Sequence, residues 1–417
     1  MAMHSRRVVI VGGGVIGMCS AYYALKRGFS VTVVMREDAG GDLCSLGNSG
    51  MIVPSHFTPL AAPGMIAKSL RWMMNPESPF FIRPRLNMDL LRWGWLFYRH
   101  STEQHVAGAR ELLRDLHLES RRLFCELAAH EDFGLVRRGM LMLCKTAQGL
   151  DEEALVAAAA HEIGLHAEVL DAAACAKLDP GITMDVTGAV YFAQDCYLDP
   201  ARFMQTMQRK LMELGGSIEC GVTIDTIATR NGKVTAVAGN NRRFEGDKFV
   251  IAGGVWSASL LGSIGLRLPL QAGKGYSLTL PTPPEMPRLC SILTEAKVAV
   301  TPLGDRLRFG GTMEVGGPDL SINQRRVHGI VKSVNAYFPE FPANVFSNIK
   351  PWAGLRPLSP DGLPYLGQVT GFTNLIAACG HAMMGVSLAP VSGRLVADLL
   401  AGDTPFRPIT AIAPDRF

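Results

Sequence analysis

Apolar and polar positions follow a clear pattern near the start of the chain. The run Val8–Val11 is apolar and β-branched, which predicts a buried parallel strand. Met18–Lys26 is rich in small and helix-forming residues and stops at Gly28, so it predicts a helix. Phe29–Val34 is again largely apolar and predicts a second strand. Together these elements predict a βαβ unit.

The turn between the first strand and the helix contains the pattern G-x-G-x-x-G, formed by Gly12, Gly14 and Gly17. This pattern is informative where a strand leads into a helix, which is where it stands here. Gly12 permits the tight turn, Gly14 lets the backbone approach a pyrophosphate, and Gly17 lets the helix pack on the strand. We therefore expect phosphates at the helix N-terminus, where unpaired N–H groups favour negative charge.

The end of the second strand departs from the dinucleotide pattern. An acidic residue that binds the ribose is expected about twenty residues after the glycines, but Met35 occupies this position and Arg36 follows it. Two alternatives remain open. Either Glu37 or main chain binds the ribose, or Arg36 binds the 2′-phosphate of NADP. The glycine pattern therefore predicts a dinucleotide without deciding which one.

Other stretches predict the elements that follow. Residues 39–52 contain many small residues and predict a loop that lets backbone approach a ligand. Residues 65–100 are rich in aromatic residues and arginine; we interpret them as a core-facing helix, with a segment on a membrane surface as the alternative. Further patterns predict helices over 103–130, 152–162, 199–214 and 323–338, and strands over 136–144, 186–192, 218–227, 234–237, 249–254, 276–280, 298–301 and 307–312.

The length of 417 residues exceeds what one simple core supports, so we expect two domains. Strands and helices alternate at both ends and in the middle of the chain, whereas short strands dominate between. We assign residues 1–55, 151–260 and 346–417 to a nucleotide-binding domain, and residues 56–150 and 261–345 to a β-rich substrate domain. The predicted fold class is α/β, with an α+β substrate domain.

Composition narrows the range of functions. The net charge of +4 comes from 41 basic and 37 acidic residues that are interspersed, which gives no indication of nucleic-acid binding. The nine cysteines are scattered without a C-x-x-C pair, which predicts reduced thiols and neither a zinc site nor a disulfide framework. We expect a cytoplasmic protein without bound metal, and at most peripheral contact with the inner face of the membrane.

Three further stretches resemble one family of flavoproteins. They are the loop Cys44–Met51, the segment Trp352–Gly362 with the pattern W-x-G-L-R-P-x-x-P-D-G, and the turn Gly380–Gly385, to which Lys274–Ser277 adds. With the glycine-rich start, they resemble the FAD-dependent D-amino-acid oxidase superfamily, and within it the D-amino-acid and D-hydroxyproline dehydrogenases most. The resemblance covers essentially the whole chain. It implies a Rossmann-like FAD-binding domain and a discontinuous substrate domain.

The resemblance implies that FAD is bound without a covalent link. Main chain at Val15 and Ile16 would face the pyrophosphate, Met35 and Arg36 would flank the adenosine, and Ile224, in a strand after Gly215 and Gly216, would bracket the adenine. The cofactor residues implied in this way are Gly12, Gly14, Val15, Ile16, Gly17, Met35, Arg36, Cys44, Ser45, Asn48, Ser49, Gly50, Met51, Ile224, Ala252, Gly253, Gly380, His381, Ala382, Met383, Met384, Gly385, Val386 and Ser387.

The resemblance also implies that Arg356 binds the substrate carboxylate, because a guanidinium group matches a carboxylate with two hydrogen bonds. Tyr276 is expected to donate to the same carboxylate or to close the pocket. His56 and His381 are candidate pocket residues. Some relatives have a second arginine in a G-H-x-R loop, where Met383 stands here, so this end of the pocket should be more apolar. We expect Arg356, Tyr276 and His381 to take part in catalysis.

These roles imply oxidation of a D-amino acid, such as D-hydroxyproline or D-proline, by hydride transfer from Cα to flavin N5, giving an imino acid. The electron acceptor is oxygen, a quinone or another carrier, and both homo- and hetero-oligomers are compatible with the resemblance. Lys274 is expected to be exposed rather than close to the flavin. The alternatives are an oxidase of glycine or sarcosine-type amines, an NADP-dependent reductase, and a non-catalytic flavin-binding subunit.

Overall fold

The computed structural model describes residues 6–38, 43–75, 77–85 and 87–417. Residues 39–42, which belong to the predicted small-residue loop, lie outside the described residues, as do residues 1–5 of the predicted nucleotide-binding domain. The described residues form an α/β fold, as predicted.

The strands are numbered in chain order. They are β1 (Arg7–Val11), β2 (Ser30–Val34), β3 (Met51–Ile52), β4 (Phe80–Ile82), β5 (Met140–Cys144), β6 (Ala167–Asp171), β7 (Gly188–Phe192), β8 (Cys196–Tyr197), β9 (Ser217–Glu219), β10 (Thr226–Arg230), β11 (Lys233–Gly239), β12 (Arg242–Glu245), β13 (Lys248–Ile251), β14 (Gln271–Leu280), β15 (Cys290–Leu293), β16 (Val298–Leu303), β17 (Arg306–Val315), β18 (Trp352–Leu358), β19 (Tyr365–Gln368) and β20 (Leu375–Cys379).

The helices are numbered in the same way. They are α1 (Val15–Lys26), α2 (Met65–Met73), α3 (Met88–His100), α4 (Glu103–Ala128), α5 (Ala147–Glu162), α6 (Ala172–Leu178), α7 (Pro200–Glu213), α8 (Ser257–Gly262), α9 (Gln324–Tyr337) and α10 (Ala389–Ala401). Short 3₁₀ turns cover Gly254–Trp256, Ala343–Phe346, Ala382–Met384 and Thr410–Ile412.

The first sheet contains the predicted βαβ unit. Its strand order is β19-β20-β13-β1-β2-β9, and the pairs from β20 to β9 are parallel, whereas β19 is antiparallel to β20. Both faces of β1 and β13 are covered, which explains why these strands are apolar at successive positions rather than at alternate ones. The result is a Rossmann-like parallel sheet, as expected from the sequence.

Helices α1 and α10 pack together on one face of this sheet. A Cβ added at Gly393 of α10 would lie 2.5 Å from the carbonyl carbon of Cys19 in α1. A small residue is therefore required at this crossing, and it brings the two helix axes close together. Helix α7 packs on the same core and begins as its sequence suggests, with the Asp199 side chain accepting hydrogen bonds from the N–H groups of Ala201 and Arg202.

A second, larger sheet forms one wall of the cavity described below. Its order is β18-β14-β17-β16-β15-β5-β7-β6, and β4 pairs with β17 beyond the end of β16. Most of its pairs are antiparallel; β15 with β5 and β17 with β4 are parallel. Two small sheets, β10-β11-β12 and β3-β8, complete the described strands.

The sheets only partly follow the predicted domain bounds. Strands β6 and β7, inside the predicted nucleotide-binding segment 151–260, lie in the nine-stranded sheet, and so does β18 in segment 346–417. At these three strands the sequence assignment is corrected. Alternating hydrophobicity predicts that a stretch is a strand, but it contains no information on which sheet the strand joins. The remaining domain bounds stay a prediction.

The aromatic and basic stretch forms α2, β4 and α3 over the cavity. Trp93 is buried and stacks on Phe97, in agreement with a core-facing helix. The opposite side of α3 is also apolar, and four residues there at helical spacing are exposed: Met88, Leu91, Trp95 and Tyr98. Among the described residues, no helix is both long enough and apolar enough to cross a membrane.

Candidate active site

A cavity of about 1070 Å³ extends from the turn between β1 and α1 to the nine-stranded sheet. Pockets for small molecules usually measure roughly 300–1,000 Å³, so this one has room for more than a small substrate. The walls combine the glycine-rich turn, the loop before β3, the turn before α10, strands β14 to β18 and the helices α2 and α3.

The glycine-rich turn has the geometry expected for a pyrophosphate site. Gly12 has a φ of +117°, and a Cβ there would lie 2.3 Å from the Ala252 carbonyl oxygen. A Cβ at Gly17 would lie 1.9 Å from the Gly12 carbonyl oxygen, so Gly17 allows α1 to pack against the turn. Gly14 is the N-cap of α1, whose first turn contains no acidic residue. The helix therefore presents its N-terminal end to the cavity without a competing negative charge.

The part of the cavity where the adenosine is expected explains in part why Met35 replaces the usual acidic residue. This side chain is buried against Gly13 and does not line the cavity, whereas Arg36 and Glu37 both do. The Arg36 guanidinium lies 3.9 Å from the ring centre of Trp256 and forms an ion pair with Glu37. Glu37 thus has a carboxylate at the cavity, two positions after the expected one. Ile224 also lines the cavity, but it lies in the loop between β9 and β10 and not in a strand.

Arg308 of β17 anchors the loop that leads into β3. Its Nη1 donates hydrogen bonds of 2.7 Å to the carbonyl oxygens of Leu46 and Asn48. On the same loop, the Ser45 hydroxyl accepts a hydrogen bond from the Val15 N–H at 3.0 Å, which links the loop to the first turn of α1. Sequence reasoning missed Arg308; the available signal was a charged residue inside an apolar strand.

Trp352 fixes the position of the same loop from the other side. A Cβ added at Gly47 or at Gly354 would lie 2.1 Å from the Trp352 ring, so both glycines are required for the ring to fit. This contact explains physically why a tryptophan begins the W-x-G-L-R-P segment. It joins the loop before β3 to the strand on which Arg356 lies.

The turn before α10 brings buried polar groups to the cavity. His381 lines the cavity and its Nε2 is 2.9 Å from the Ser392 hydroxyl, whereas its buried Nδ1 has no hydrogen-bond partner in the described part of the chain. Burial lowers the pKa of His381 to about 3, so its ring is neutral near pH 7. The next residue, Ala382, has a left-handed φ of +48°, a costly conformation for alanine that is typical of functional turns.

His117 of α4 supports this turn and was not predicted. Its Nδ1 is 2.9 Å from the Ser387 hydroxyl, which also accepts a hydrogen bond from the Val53 N–H at 3.0 Å. Its Nε2 is 3.3 Å from the Met384 sulfur. A histidine on the apolar face of a helix is the only signal that the sequence provides for this role.

Arg356 points into the cavity, where no described residue provides a counter-ion. Its Nη1 donates to the Thr312 carbonyl oxygen at 2.5 Å, and its guanidinium lies flat on Gly275, where a Cβ would be 2.2 Å from Nη2. Within the described residues, no carboxylate pairs with it. Burial lowers the pKa of Arg356, as expected for an uncompensated charge. An anionic ligand would offset this cost, because two parallel hydrogen bonds would neutralise the guanidinium.

Thr312 has an unusual backbone conformation that helps to aim its carbonyl group. Its φ is +68°, and the pairing of β14 with β17 shifts register at this point. A bulge of this kind bends a strand and redirects its groups, often beside a functional site. The strand pattern of β17 in the sequence contains no indication of this bulge.

Tyr276 and Lys274 take part in a buried network instead of standing free. The Tyr276 hydroxyl donates to Glu314 at 3.1 Å, so its proton is not available to a substrate carboxylate in this arrangement. Lys274 is 3% exposed and its Nζ lies 3.1 Å from Asp319 and 3.6 Å from Glu314. The expectation of an exposed Lys274 was therefore wrong. Cross-strand pairing with Glu314 compensates its charge, which sequence spacing alone does not reveal.

His56 lines the cavity close to the buried carboxyl group of Asp195. Its Nδ1 is 3.1 Å from the Ser55 hydroxyl, which donates to Asp195. Burial raises the pKa of Asp195 to about 7, and burial lowers the pKa of His56 to about 4. Lys297 lies in the same part of the cavity wall.

Most of the predicted site residues line this one cavity. The predicted residues that line it are Gly12, Gly14, Val15, Ile16, Arg36, Cys44, Ser45, Asn48, Ser49, Met51, His56, Ile224, Ala252, Gly253, Tyr276, Arg356, His381, Ala382, Met383, Met384, Gly385 and Val386. The other predicted residues do not line the cavity but lie next to residues that do: Gly17, Met35, Gly50, Gly380 and Ser387. Among the described residues, His381 Nδ1 has no hydrogen-bond partner and Arg356 has no ion-pair partner. Together with the glycine-rich turn, these groups fit FAD with an anionic substrate beside it.

Comparison with known proteins agrees with this geometry. The model of the family described as FAD dependent oxidoreductase matches residues 7–399. A D-amino acid dehydrogenase of Granulibacter bethesdensis is 35% identical over 413 residues, which cover 96% of each chain. Glycine oxidase from Geobacillus kaustophilus is similar in structure, with a TM-score of 0.79 at 22% identity over 99% of this chain and 100% of that one. L-proline dehydrogenase from P. horikoshii has a TM-score of 0.75 at 16% identity over 99% and 98% of the two chains.

Proposed function

This chain belongs to the FAD-dependent oxidoreductase family, and on that premise we propose that it oxidises the Cα–N bond of a D-amino acid to an imine. The observation that supports the proposal most directly is the unpaired Arg356 guanidinium in the cavity. The likeness to a D-amino acid dehydrogenase supports the choice of substrate class. Family membership makes FAD the cofactor, which removes the NADP-dependent reductase from the alternatives.

In this proposal, Arg356 holds the substrate carboxylate and thereby fixes the direction of the Cα–H bond. Gly275 and the Thr312 carbonyl oxygen keep the guanidinium in place before substrate arrives. Bound FAD supplies the acceptor for the hydride that leaves Cα. The glycine-rich turn, Ser45 and the turn at His381 to Val386 are the residues that would hold FAD. Because Met383 replaces a second arginine, Arg356 provides the carboxylate contact alone.

The proton balance follows from the same residues. A substrate amine must be neutral when the hydride leaves, and it loses its proton to solvent as the pH rises. The low pKa values of His56 and His381, about 4 and about 3, keep both rings neutral in the working range. Activity should therefore rise with pH through the pKa of the substrate amine. An acyclic imine then hydrolyses to a 2-oxo acid and ammonia, whereas an imine from D-proline or D-hydroxyproline stays cyclic.

The test is an Arg356→Ala variant of the holoenzyme, compared with Arg356→Lys and with the exposed control Arg325→Ala. Loss of two charge-assisted hydrogen bonds should lower kcat/KM for D-amino acids roughly 100-fold or more. The measurement is anaerobic bleaching of the flavin absorbance, over a set that includes D-alanine, D-proline, D-hydroxyproline, glycine and sarcosine. A normal rate in Arg356→Ala would reject the proposal. Bleaching by glycine or sarcosine alone would favour the amine oxidase instead.

Exposed apolar residues beside the cavity bear on the electron acceptor and on membrane contact. Leu70 of α2 and Tyr98 of α3 are exposed and also line the cavity, so the cavity opens among the exposed apolar residues of these two helices. Arg71 and Arg99 lie on the same helices. An apolar surface with basic residues matches an anionic membrane. We therefore favour a peripheral enzyme whose acceptor is a membrane quinone over one that uses oxygen.

A further inference from the structure

Lys297 occupies a conformation that lysine rarely adopts. It is the last residue of the turn between β15 and β16, and its φ is +52°. Glycine and asparagine are the usual residues at left-handed positions in hairpin turns. A lysine here therefore costs backbone energy, which indicates that its side chain has a purpose in the fold or in the site.

The direction of this side chain is given by its neighbours in the sheet. Lys297 lines the cavity, as do Ala299 on the strand it precedes and Ile292 on the strand before the turn. Ala299 pairs with Gly310 of β17, two residues before Thr312, whose carbonyl group holds Arg356. Lys297 and Arg356 therefore stand on the same cavity wall, and one strand separates β16 from β14, where the guanidinium rests on Gly275.

No carboxylate in the described part of the chain forms a direct ion pair with Lys297. Among residues 6–38, 43–75, 77–85 and 87–417, its Nζ has no carboxylate within 4 Å and no hydrogen bond, and Glu153 and Glu295 act on it without such contact. Glu295 in the same turn already accepts hydrogen bonds from the Thr146 N–H and hydroxyl and from the Tyr337 hydroxyl. Lys68, whose charge also acts on Lys297, pairs with Glu152. The charge of Glu153 also acts on Lys297, but burial raises the pKa of Glu153 and it forms no ion pair with Lys297 among the described residues.

His56 adds a neutral hydrogen-bonding group to the same place. Its Nδ1 lies 3.1 Å from the Ser55 hydroxyl, and no described residue forms a hydrogen bond with its Nε2. The positive charge of Lys297 is among the causes that lower the pKa of His56, which shows that the two groups are close. An ammonium group offers three donors and an imidazole nitrogen one donor or acceptor, so together they match an oxygen atom on a ligand.

We propose that Lys297, with His56, is the specificity-determining site for an oxygen atom at the far end of the substrate, whose carboxylate Arg356 holds. The preferred substrates are then amino acids with an oxygen-bearing side chain, either a second carboxylate or a hydroxyl group. This assignment rests on the proposed function, because it uses Arg356 as the anchor. Ala299 of β16 and Gly310 of β17, which pair with each other, line the cavity wall between the two ends.

The test compares substrates of similar shape that differ in the distal oxygen. D-glutamate is compared with D-norvaline, and 4-hydroxy-D-proline with D-proline, by kcat/KM for anaerobic flavin reduction. The variants are Lys297→Met, which keeps the length without the charge, and Lys297→Arg, which restores the charge. Lys332→Met is the control, because Lys332 is exposed and pairs with Glu77 outside the cavity.

In the wild type, at least one oxygen-bearing substrate should exceed its apolar counterpart roughly ten-fold or more, as one hydrogen bond to a charged group provides. Lys297→Met should remove most of this preference and Lys297→Arg should recover part of it. The proposal is overturned if no oxygen-bearing substrate is preferred, or if Lys297→Met lowers both members of a pair equally. The pair that shows the effect identifies the group as carboxylate or hydroxyl.

Equilibrium binding separates this proposal from the proposed function. Glutarate and butyrate have a common carboxylate and differ in the second one, and each is titrated into the holoenzyme while the flavin spectrum is recorded. If the distal group is a carboxylate, glutarate should bind at least ten-fold tighter than butyrate in the wild type and about equally in Lys297→Met. If it is a hydroxyl group, 4-hydroxybutyrate, titrated in the same way, should show this behaviour instead. If none of the compounds perturbs the flavin, the Arg356 anchor has failed. If they bind and Lys297→Met alters neither affinity ratio, the role of Lys297 alone is rejected.

Discussion

At the scale of single residues, Gly275 is as important for the substrate site as the arginine that rests on it. A Cβ in this position would lie 2.2 Å from Arg356 Nη2, closer than any real contact. We expect Gly275→Ala to displace the guanidinium and to raise KM for D-amino acids at least ten-fold, while FAD is retained.

The matched control is Gly108→Ala, since a Cβ there meets nothing within 4 Å. Gly108 lies inside helix α4, so this change should stabilise the protein by up to about 1 kcal/mol and leave KM as it is. Steady-state kinetics and flavin content measure both effects. If Gly275→Ala has the KM of the wild type, the guanidinium does not depend on this close contact.

Single residues also show which parts of the site can be predicted from the sequence. Gly12, Gly17 and Arg356 were predicted because each has a chemistry that few other residues can supply at that point of a motif. Tyr276 and Lys274 were predicted less well. Their roles depend on Glu314, which lies on a neighbouring strand, about forty residues away in sequence. A partner brought close only by the sheet cannot be deduced from local spacing.

At the scale of elements, helix α3 has two apolar sides. The buried side packs with Trp93 on Met313 and Leu358, and the exposed side includes Trp95 at 56% and Tyr98 at 67% exposure. A helix that only covers a cavity would be polar on its outer side. The periodicity predicted the helix. Because both sides are apolar, however, the sequence did not indicate which side faces the core and which side is exposed.

The outer side of α3 predicts binding to anionic vesicles. Leu91→Ser combined with Trp95→Ser should weaken binding to phosphatidylglycerol vesicles by at least about 100-fold, because each buried apolar side chain contributes about 1.5–3 kcal/mol. Leu155→Ser is the control, since Leu155 is an exposed leucine on α5. Co-sedimentation at low and high salt measures the effect. Absence of binding in the wild type would contradict the proposed membrane contact.

At the scale of the whole molecule, three histidines whose pKa values are lowered by burial make the protein sensitive to acid. Burial lowers the pKa values of His56, His117 and His381 from 6.5 to about 4, about 3 and about 3. Between roughly pH 4 and pH 6 the unfolded chain binds up to three more protons at these sites. Their stabilising contribution is therefore complete above pH 6.5 and is lost as the pH falls, by about 1.4 kcal/mol per group and pH unit.

Asp195 acts in the opposite direction. Burial raises its pKa from 3.8 to about 7, so its contribution is complete below pH 4 and is lost as the pH rises towards 7. The pH dependence due to Asp195 cancels that due to one histidine. The free energy of unfolding therefore changes by roughly 3 kcal/mol per pH unit near pH 5. Tm measured at constant excess FAD should fall steeply below pH 6, and Asp195→Asn should steepen the fall. A Tm that stays level from pH 6.5 to pH 4.5 would contradict these assignments.

The path of the chain near its end has a consequence for how such a protein can change over time. Within thirty residues it leaves Arg356 on β18 in one sheet and reaches β20 and His381 beside the other. In the proposed function, this single short stretch contacts both the substrate and the flavin. If this stretch were exchanged between relatives, the residues proposed to bind the amino acid and those proposed to contact the flavin would be inherited together.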